Sequence, residues 1–315
     1  MRPGDARPEG PARGRQVEIT GPLVLSERES HLVEMHSVYN VLNVAVLRID
    51  AVGELAGDAS AADGVRDELR AWHSALADRE RALGELRRAP EIRRRLVSWM
   101  EGLRGRVDGE RREELEAHVE NVVSIFTVLE ARVAELVSRS AGPEPWRRLS
   151  VDHLRANLER AFRAIERNAF GRWRVAFSPA DRPPGAYLMQ VELGSRDGET
   201  LTIPPVLEDV MRDLAANARK FTEPGGLIRV TLAEEPDGVL LEVADTGRGM
   251  PEEEIEEVVR FGRRGSDQDG RVQTGGGFGL TKALHVARTH GGRMWIRSAP
   301  GAGTTVTIRL PLPPA

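Results

Sequence analysis

The strongest constraint on this chain is a change of hydrophobic period near its middle. Up to about residue 140, apolar residues recur at three- and four-residue steps, the spacing of helices that bury one stripe. Beyond Ala141-Gly-Pro143-Glu-Pro145 they fall into short runs divided by glycine-rich turns. Two prolines and a glycine cannot continue a helix, so that segment is the predicted boundary. The expectation is an α+β chain: an N-terminal all-α helical bundle followed by an α/β sandwich with a mixed sheet.

Three regions follow from this reading. Residues 1–20, rich in Pro, Gly and Arg without an apolar period, read as a disordered tail. Residues 21–142 form the helical region. Leu32, Met35, Tyr39, Leu42, Val46 and Ile49 make a seam, while Val33, Val38, Val41, Val44 and Leu47 lie off it and require cover on more than one side. Leu115, His118, Val122, Ile125, Leu129, Val133 and Leu136 mark a second long helix. Between them, charged helical stretches over 63–88 and 91–104 read as an insertion of about 60–105. In the third region, 143–315, a helix over 150–168 precedes β-like runs at 173–177, 187–192 and 200–203. A helix bearing Asn217, strands at 227–232 and 239–244, a helix through His285, and strands at 294–297 and 304–310 complete it.

Composition narrows the partners. Charge is nearly balanced at −4, so no long-range field draws nucleic acid. No apolar run reaches the roughly 20 residues of a membrane-spanning helix. There are no cysteines, which suits a reducing cytoplasm. Only Lys220 and Lys282 are lysines, all other basic chains being arginine.

Three short blocks in the second half carry chemistry. Asp213, Asn217 and Lys220 stand at four- and three-residue steps, so one helical face presents all three. An amide carbonyl is a hard ligand for Mg²⁺, and a lysine offers point charge to phosphates; Phe221 closes the block. The plain alternative is a solvated helix face. In Asp245-Thr-Gly247-Arg-Gly249-Met250 the carboxylate follows an apolar strand and can accept the amino group of adenine, where guanine presents a repelling carbonyl. A simple turn is the alternative there. Gly275-Gly276-Gly277-Phe278-Gly279-Leu280 allows backbone amides to converge on phosphate at a helix start, or serves as a linker. No Gly-Lys-Ser/Thr follows, so this is not a Walker loop. In this order the blocks supply an ATP site with Mg²⁺.

With those residues in view, 150–315 resembles the catalytic ATP-binding domain of sensor histidine kinases, within the superfamily that includes gyrase, MutL and the chaperone ATPases. Asn217-Ala-Arg-Lys-Phe-Thr-Glu-Pro-Gly-Gly226 resembles the histidine-kinase form of the asparagine box. Phe261-Gly-Arg263-Arg264 resembles part of the ATP lid, with Val258 and Gly262 where the family has aromatics, and implies a γ-phosphate contact for Arg263. The run from Ser298 to Pro311 resembles the closing hairpin, in which a hydroxyl, here Thr305, helps hold adenine.

The resemblance also implies a phosphoacceptor histidine on the first bundle helix. Among seven histidines, His36 fits: His36-Ser-Val-Tyr-Asn40-Val-Leu42 resembles the family segment at positions 36, 40 and 42. It is expected semi-exposed, beside Asn43 and Asp50 on the flank of the seam. Ser37 replaces the acidic residue that usually follows, and serine cannot be a base at neutral pH. His31 and His118 lack an Asn or Thr four residues on.

The implied protein is a cytoplasmic homodimer joined through its N-terminal helices, passing phosphate from Mg·ATP to His36 and then to the receiver domain of a separate response regulator. Two rivals stand beside it. One is an ATP-binding scaffold or phosphatase-biased pseudokinase; the other is a serine kinase or ATPase of the same superfamily.

Overall fold

The computed structural model describes residues 14–57, 59–139, 146–167, 173–263 and 277–313. It divides into two compact units: Ser26–Pro143, which is helical, and a sheet unit made of Met1–Leu25 together with Glu144–Ala315. The helical unit therefore interrupts the sheet unit in chain order, and does not simply precede it.

The reason is a strand, β1 (Gln16–Glu18), that lies inside the region expected to be a disordered tail. It pairs antiparallel with β8 (Arg293–Ser298), Val17 opposite Ile296. Ile19 then donates its N–H to the Met294 carbonyl at 2.9 Å and is buried, while the Arg288 guanidinium donates to the Ile19 carbonyl at 3.3 Å. Three residues are too few to register as an alternating run; an open sheet edge supplies what their sequence lacks.

In the sheet unit, β2 (Arg147–Ser150) leads into α7 (Val151–Arg167), β3 (Val175–Ala176), β4 (Tyr187–Gly194), β5 (Thr200–Ile203) and α8 (Val206–Phe221). Then come β6 (Leu227–Glu235), β7 (Gly238–Asp245), α9 (Gly279–Thr289), β8, and β9 (Thr304–Pro311). The main sheet has the order β1-β8-β9-β7-β6-β4-β3, with β2 and β5 forming a separate pair. β4 runs parallel to both β3 and β6, and the other pairings are antiparallel, so the sheet is mixed as expected. Every second residue turns inward: Ile228, Val230 and Leu232 on β6, Ile308 and Leu310 on β9. These join Leu154, Leu158 and Phe162 of α7, Leu207, Met211 and Leu214 of α8, and Leu284 and Ala287 of α9 in one core. That is the two-layer solution for a sheet with one apolar face.

In the helical unit the first predicted helix is two. α1 (Glu27–Glu34) is opened by a reciprocal capping box of Ser26 and Glu29 and ends at Met35, before α2 (His36–Leu55) begins. α3 (Asp63–Ala75), α4 (Arg79–Leu86) and α5 (Ala89–Gly102) occupy the predicted insertion. Asp78 accepts N–H bonds from Glu80 and Arg81 and so splits the stretch expected to run from 63 to 88. α6 (Gly109–Arg139) is the second long helix. Leu42, Ile49 and Val52 of α2 and Leu115, Val122, Phe126 and Leu129 of α6 share a core with Leu69 and Trp72 of α3, its C-cap Leu76, Leu86 of α4, and Ile92, Leu96 and Met100 of α5. Trp72 stacks on Phe126 with ring centroids 6.4 Å apart and donates its indole N–H to the Glu85 carbonyl at 2.9 Å. Among the described residues no helix is long and apolar enough to cross a membrane.

Candidate functional site

α8 buries Leu207, Val210, Met211, Leu214, Ala215 and Ala218, and its next flank carries Asp213, Asn217 and Lys220, half-buried together. The expected shared face is present. Asp213, however, does not stand open to a nucleotide: its Oδ2 accepts from the Lys282 ammonium of α9 at 2.8 Å, and that ammonium stem is almost wholly buried. Phe221 ends the helix with Lys220 Nζ 5.4 Å and the Arg248 guanidinium 5.1 Å from its ring centroid.

β7 ends at Asp245, which is buried. Its Oδ1 accepts the N–H of Gly247 at 2.8 Å and of Thr304 at 3.2 Å, leaving Oδ2 as the acceptor toward a base. Burial pushes this carboxyl up to about 6, against the pull of those two amides. The glycines here are demanded by close approach. A Cβ on Gly247 would lie 2.4 Å from the Phe221 carbonyl oxygen, and one on Gly249, at φ +64°, 1.9 Å from that of Ala299. Met250 donates its N–H to Ser298 Oγ at 2.9 Å, and Ser298 in turn donates to the Gly303 carbonyl at 2.9 Å. The hydroxyl of Thr305, opposite Ala244 on β9, is buried without a hydrogen-bond partner. Paired residues share a face and neighbours along a strand alternate, so Thr305 lies on the side of Ala244 and Arg297, opposite the core face that carries Asp245. The expected pairing of its hydroxyl with the Asp245 carboxylate on one adenine edge is not what the sheet builds.

Of the glycine block, Gly275 and Gly276 lie outside the described residues. Gly277 has φ +72°, Phe278 packs on Phe261 with ring centroids 4.8 Å apart, and Gly279 opens α9 with Leu280 partly buried against the core. A Cβ on Gly279 would come within 2.7 Å of Asn217 Nδ2, so a glycine is needed to let the α9 start approach the α8 amide. Amides at a helix start beside an Asn carbonyl and a lysine suit Mg·ATP phosphates. Arg263 is on the surface, its Nε 3.9 Å from Glu257 Oε2.

In the helical unit, His36 is the first residue of α2 and only 8% exposed, where semi-exposure was expected. Its stripe of α2 is nonetheless the open one: Asn43, Leu47 and Glu54 are exposed, Asn40 and Asp50 half-buried. Asn40 Nδ2 donates to His36 Nε2 at 3.0 Å, which puts the lone pair on Nε2 and the ring proton on Nδ1. His31 Nε2 donates to the Leu76 carbonyl at 2.8 Å and is a fastener between α1 and the end of α3. His118 is buried on α6, with burial and then Arg48 holding its pKa down.

Residues 202–314 match the model of the histidine kinase-, DNA gyrase B- and HSP90-like ATPase family. This segment is therefore similar to the ATPase domains of that family. Over 107 residues it is 43% identical to the histidine protein kinase DivJ of Caulobacter vibrioides, covering 34% of this chain and 18% of DivJ. The adaptive-response sensory kinase SasA of a Synechococcus species is 33% identical over 107 residues, covering 34% of this chain and 28% of SasA. The chain thus spans less than a third of the length of these relatives. The mycobacterial sensor histidine kinase MprB aligns with 53% of the chain at 20% identity and a TM-score of 0.37, too loose an overlap to add to the argument. Sequence reasoning missed two residues of this site. Lys282 could have been found as one of only two lysines, and Ser298, which ties Met250 to the closing hairpin, lay within the quoted motif without a role.

Proposed function

We propose that the chain is a protein histidine kinase of two-component signalling, which transfers the γ-phosphoryl group of ATP to His36 and then to an aspartate of a separate response regulator. The observation that carries the reading is the lone pair of His36 Nε2, held by Asn40 on a helix of the same chain as a histidine-kinase-type ATP domain.

Asp245 Oδ2 accepts the adenine amino group, while Lys220 and the amides at Gly277–Gly279 take phosphate oxygens. Asn217 would be the protein ligand for Mg²⁺, which would supply charge neutralisation for the phosphates. For transfer, Asn40 releases Nε2, whose lone pair forms the bond to the γ-phosphorus as the bond to the β–γ bridging oxygen breaks and ADP leaves. The imidazole stays protonated at Nδ1 until that proton passes to solvent. Ser37 cannot accept it at neutral pH, and this site supplies no carboxylate at position 37.

Composition without cysteine supports a cytoplasmic setting. The homodimer that the resemblance implies would pair through the stripes of α2 and α6 that remain open. α3–α5 already cover the apolar side of α2 and α6, leaving Leu47 and Val123 as the large exposed apolar side chains of that unit among the described residues.

Incubation with γ-labelled ATP should give acid-labile, alkali-stable label on the protein, absent from His36→Gln; label retained in that variant contradicts the proposal. The burial of His36 and the serine beside it favour a second reading, an ATP-binding regulatory protein that does not phosphorylate itself. Nucleotide binding with no protein-bound label identifies it.

A further inference from the structure

We propose that Lys282 is a positioning residue of the ATP site, acting through Asp213 to hold the first turn of α9 in register with α8. This rests on the ATP site described above and gives a role to two residues of it.

The chain uses arginine for all its cations except two, and both exceptions stand on the helices that meet at the site: Lys220 on α8 and Lys282 on α9. Lysine is almost never fully buried unless paired, yet Lys282 is 3% exposed. Its ammonium donates to Asp213 Oδ2 at 2.8 Å, with the two side chains 4% and 16% exposed. A buried ion pair is no better than a well-packed apolar pair as a source of stability, so packing alone does not account for it. What a directional pair does better is fix one register.

Its placement shows which register. Asp213 lies one helical turn before Asn217, and Lys282 three residues after Gly279. The bond therefore ties together the turns next to the two groups that must approach most closely, the Asn217 amide and the Gly279 backbone, where a Cβ would be 2.7 Å from Asn217 Nδ2. Loosening it lets the α9 start drift from α8, separating the metal ligand from the phosphate-binding amides. Displacements of about 1 Å suffice to cost activity on the order of a hundredfold. The adenine end, Asp245, is fixed by the N–H groups of Gly247 and Thr304 and meets α8 at Phe221, about two turns beyond Asp213, so this bond does not hold it directly.

The test uses the full chain carrying Asp213→Ala, Lys282→Met, both together, or Asp213→Asn, with calorimetric titration of Mg·ATP, ligand-observed NMR of adenosine and thermal melting. The single variants leave one charge buried and will melt early; the double variant, with neither charge, is the decisive one. We expect the double variant to melt near the wild type yet lose Mg·ATP affinity on the order of tenfold or more, with adenosine affinity within about twofold. Asp213→Asn, which keeps an oxygen for Lys282, should recover most of the loss. A double variant that binds Mg·ATP like the wild type, or that loses ATP and adenosine alike, overturns the assignment. Wild-type protein that binds no Mg·ATP would instead refute the ATP site itself.

Discussion

The two units of this chain build structure by different means, and the contrast explains which residues are replaceable. In the sheet unit, function sits where backbone meets backbone. Gly247, Gly249 and Gly303 are glycines because a Cβ would strike the backbone carbonyl of Phe221, Ala299 or Asp245. In the helical unit the glycines of α3 and α4 face open space, and order comes from interdigitated side chains such as Trp72 on Phe126. One unit is specified by close approach, the other by volume.

Four substitutions or conditions would break or sharpen that contrast. The largest effect is expected for Trp72→Ala, which empties the centre of the helical core and removes a hydrogen bond. It should cost about 3 to 5 kcal/mol in that unit's unfolding while leaving Mg·ATP titration of the sheet unit intact; equal loss of both would show that the units are not separable. Next is Gly303→Ala, at φ +79° with the Asp245 carbonyl 1.9 Å from the new Cβ. We expect about 2 to 4 kcal/mol of destabilisation, with loss of ATP binding by calorimetry. Its counterpart, Gly84→Ala in α4, where nothing lies within 4 Å, should stabilise by about 0.5 to 1 kcal/mol in denaturant melts.

The third concerns pH. The Asp245 carboxyl is raised to about 6 by burial, so the folded state holds its proton more tightly than the unfolded chain. Its neutral form adds stability that is fully present below pH 4 and lost as pH rises through about 6, on the order of 2 to 3 kcal/mol. Nucleotide has the opposite sign, because the adenine amino group needs the ionised oxygen. ATP affinity should fall as pH drops from 7.5 to 5.5, and Asp245→Asn should bind weakly with that slope removed. The smallest expected effect is on mass: light scattering across micromolar concentrations should report a single chain, since α3–α5 cover the hairpin of α2 and α6. A dimer at the lowest concentration would show that the open stripes bearing Leu47 and Val123 pair after all.

Legibility in the sequence followed the same divide. Asp245 and Gly277–Gly279 stood out because turn chemistry is local and leaves fixed residue types at fixed spacings, and Asn217 because it shares a helical face with Asp213 and Lys220. Strand and helix runs from 151 to 311 were found for the same reason, as alternation between glycine-rich turns. Pairing across long separations was not legible. Nothing near Asp213 announces Lys282, 69 residues away, and the three residues of β1 acquire strand character only from the edge of β8. β2, with two arginines in four residues, likewise depends on β5. In the helical unit, periodicity gave the helices and their insertion, but not the breaks at Met35 and Asp78 or the burial of His36 beneath its neighbours.

The central claim is that the ATP domain serves the histidine at the start of α2. Tryptic cleavage after Arg28 and Arg48 releases one peptide that holds His31, His36 and Ser37 together. After incubation with Mg·ATP and handling at alkaline pH, fragmentation of that peptide by mass spectrometry should place one phosphate on His36. Phosphate on Ser37 or His31, or an unmodified peptide from protein shown to bind Mg·ATP, would contradict the account.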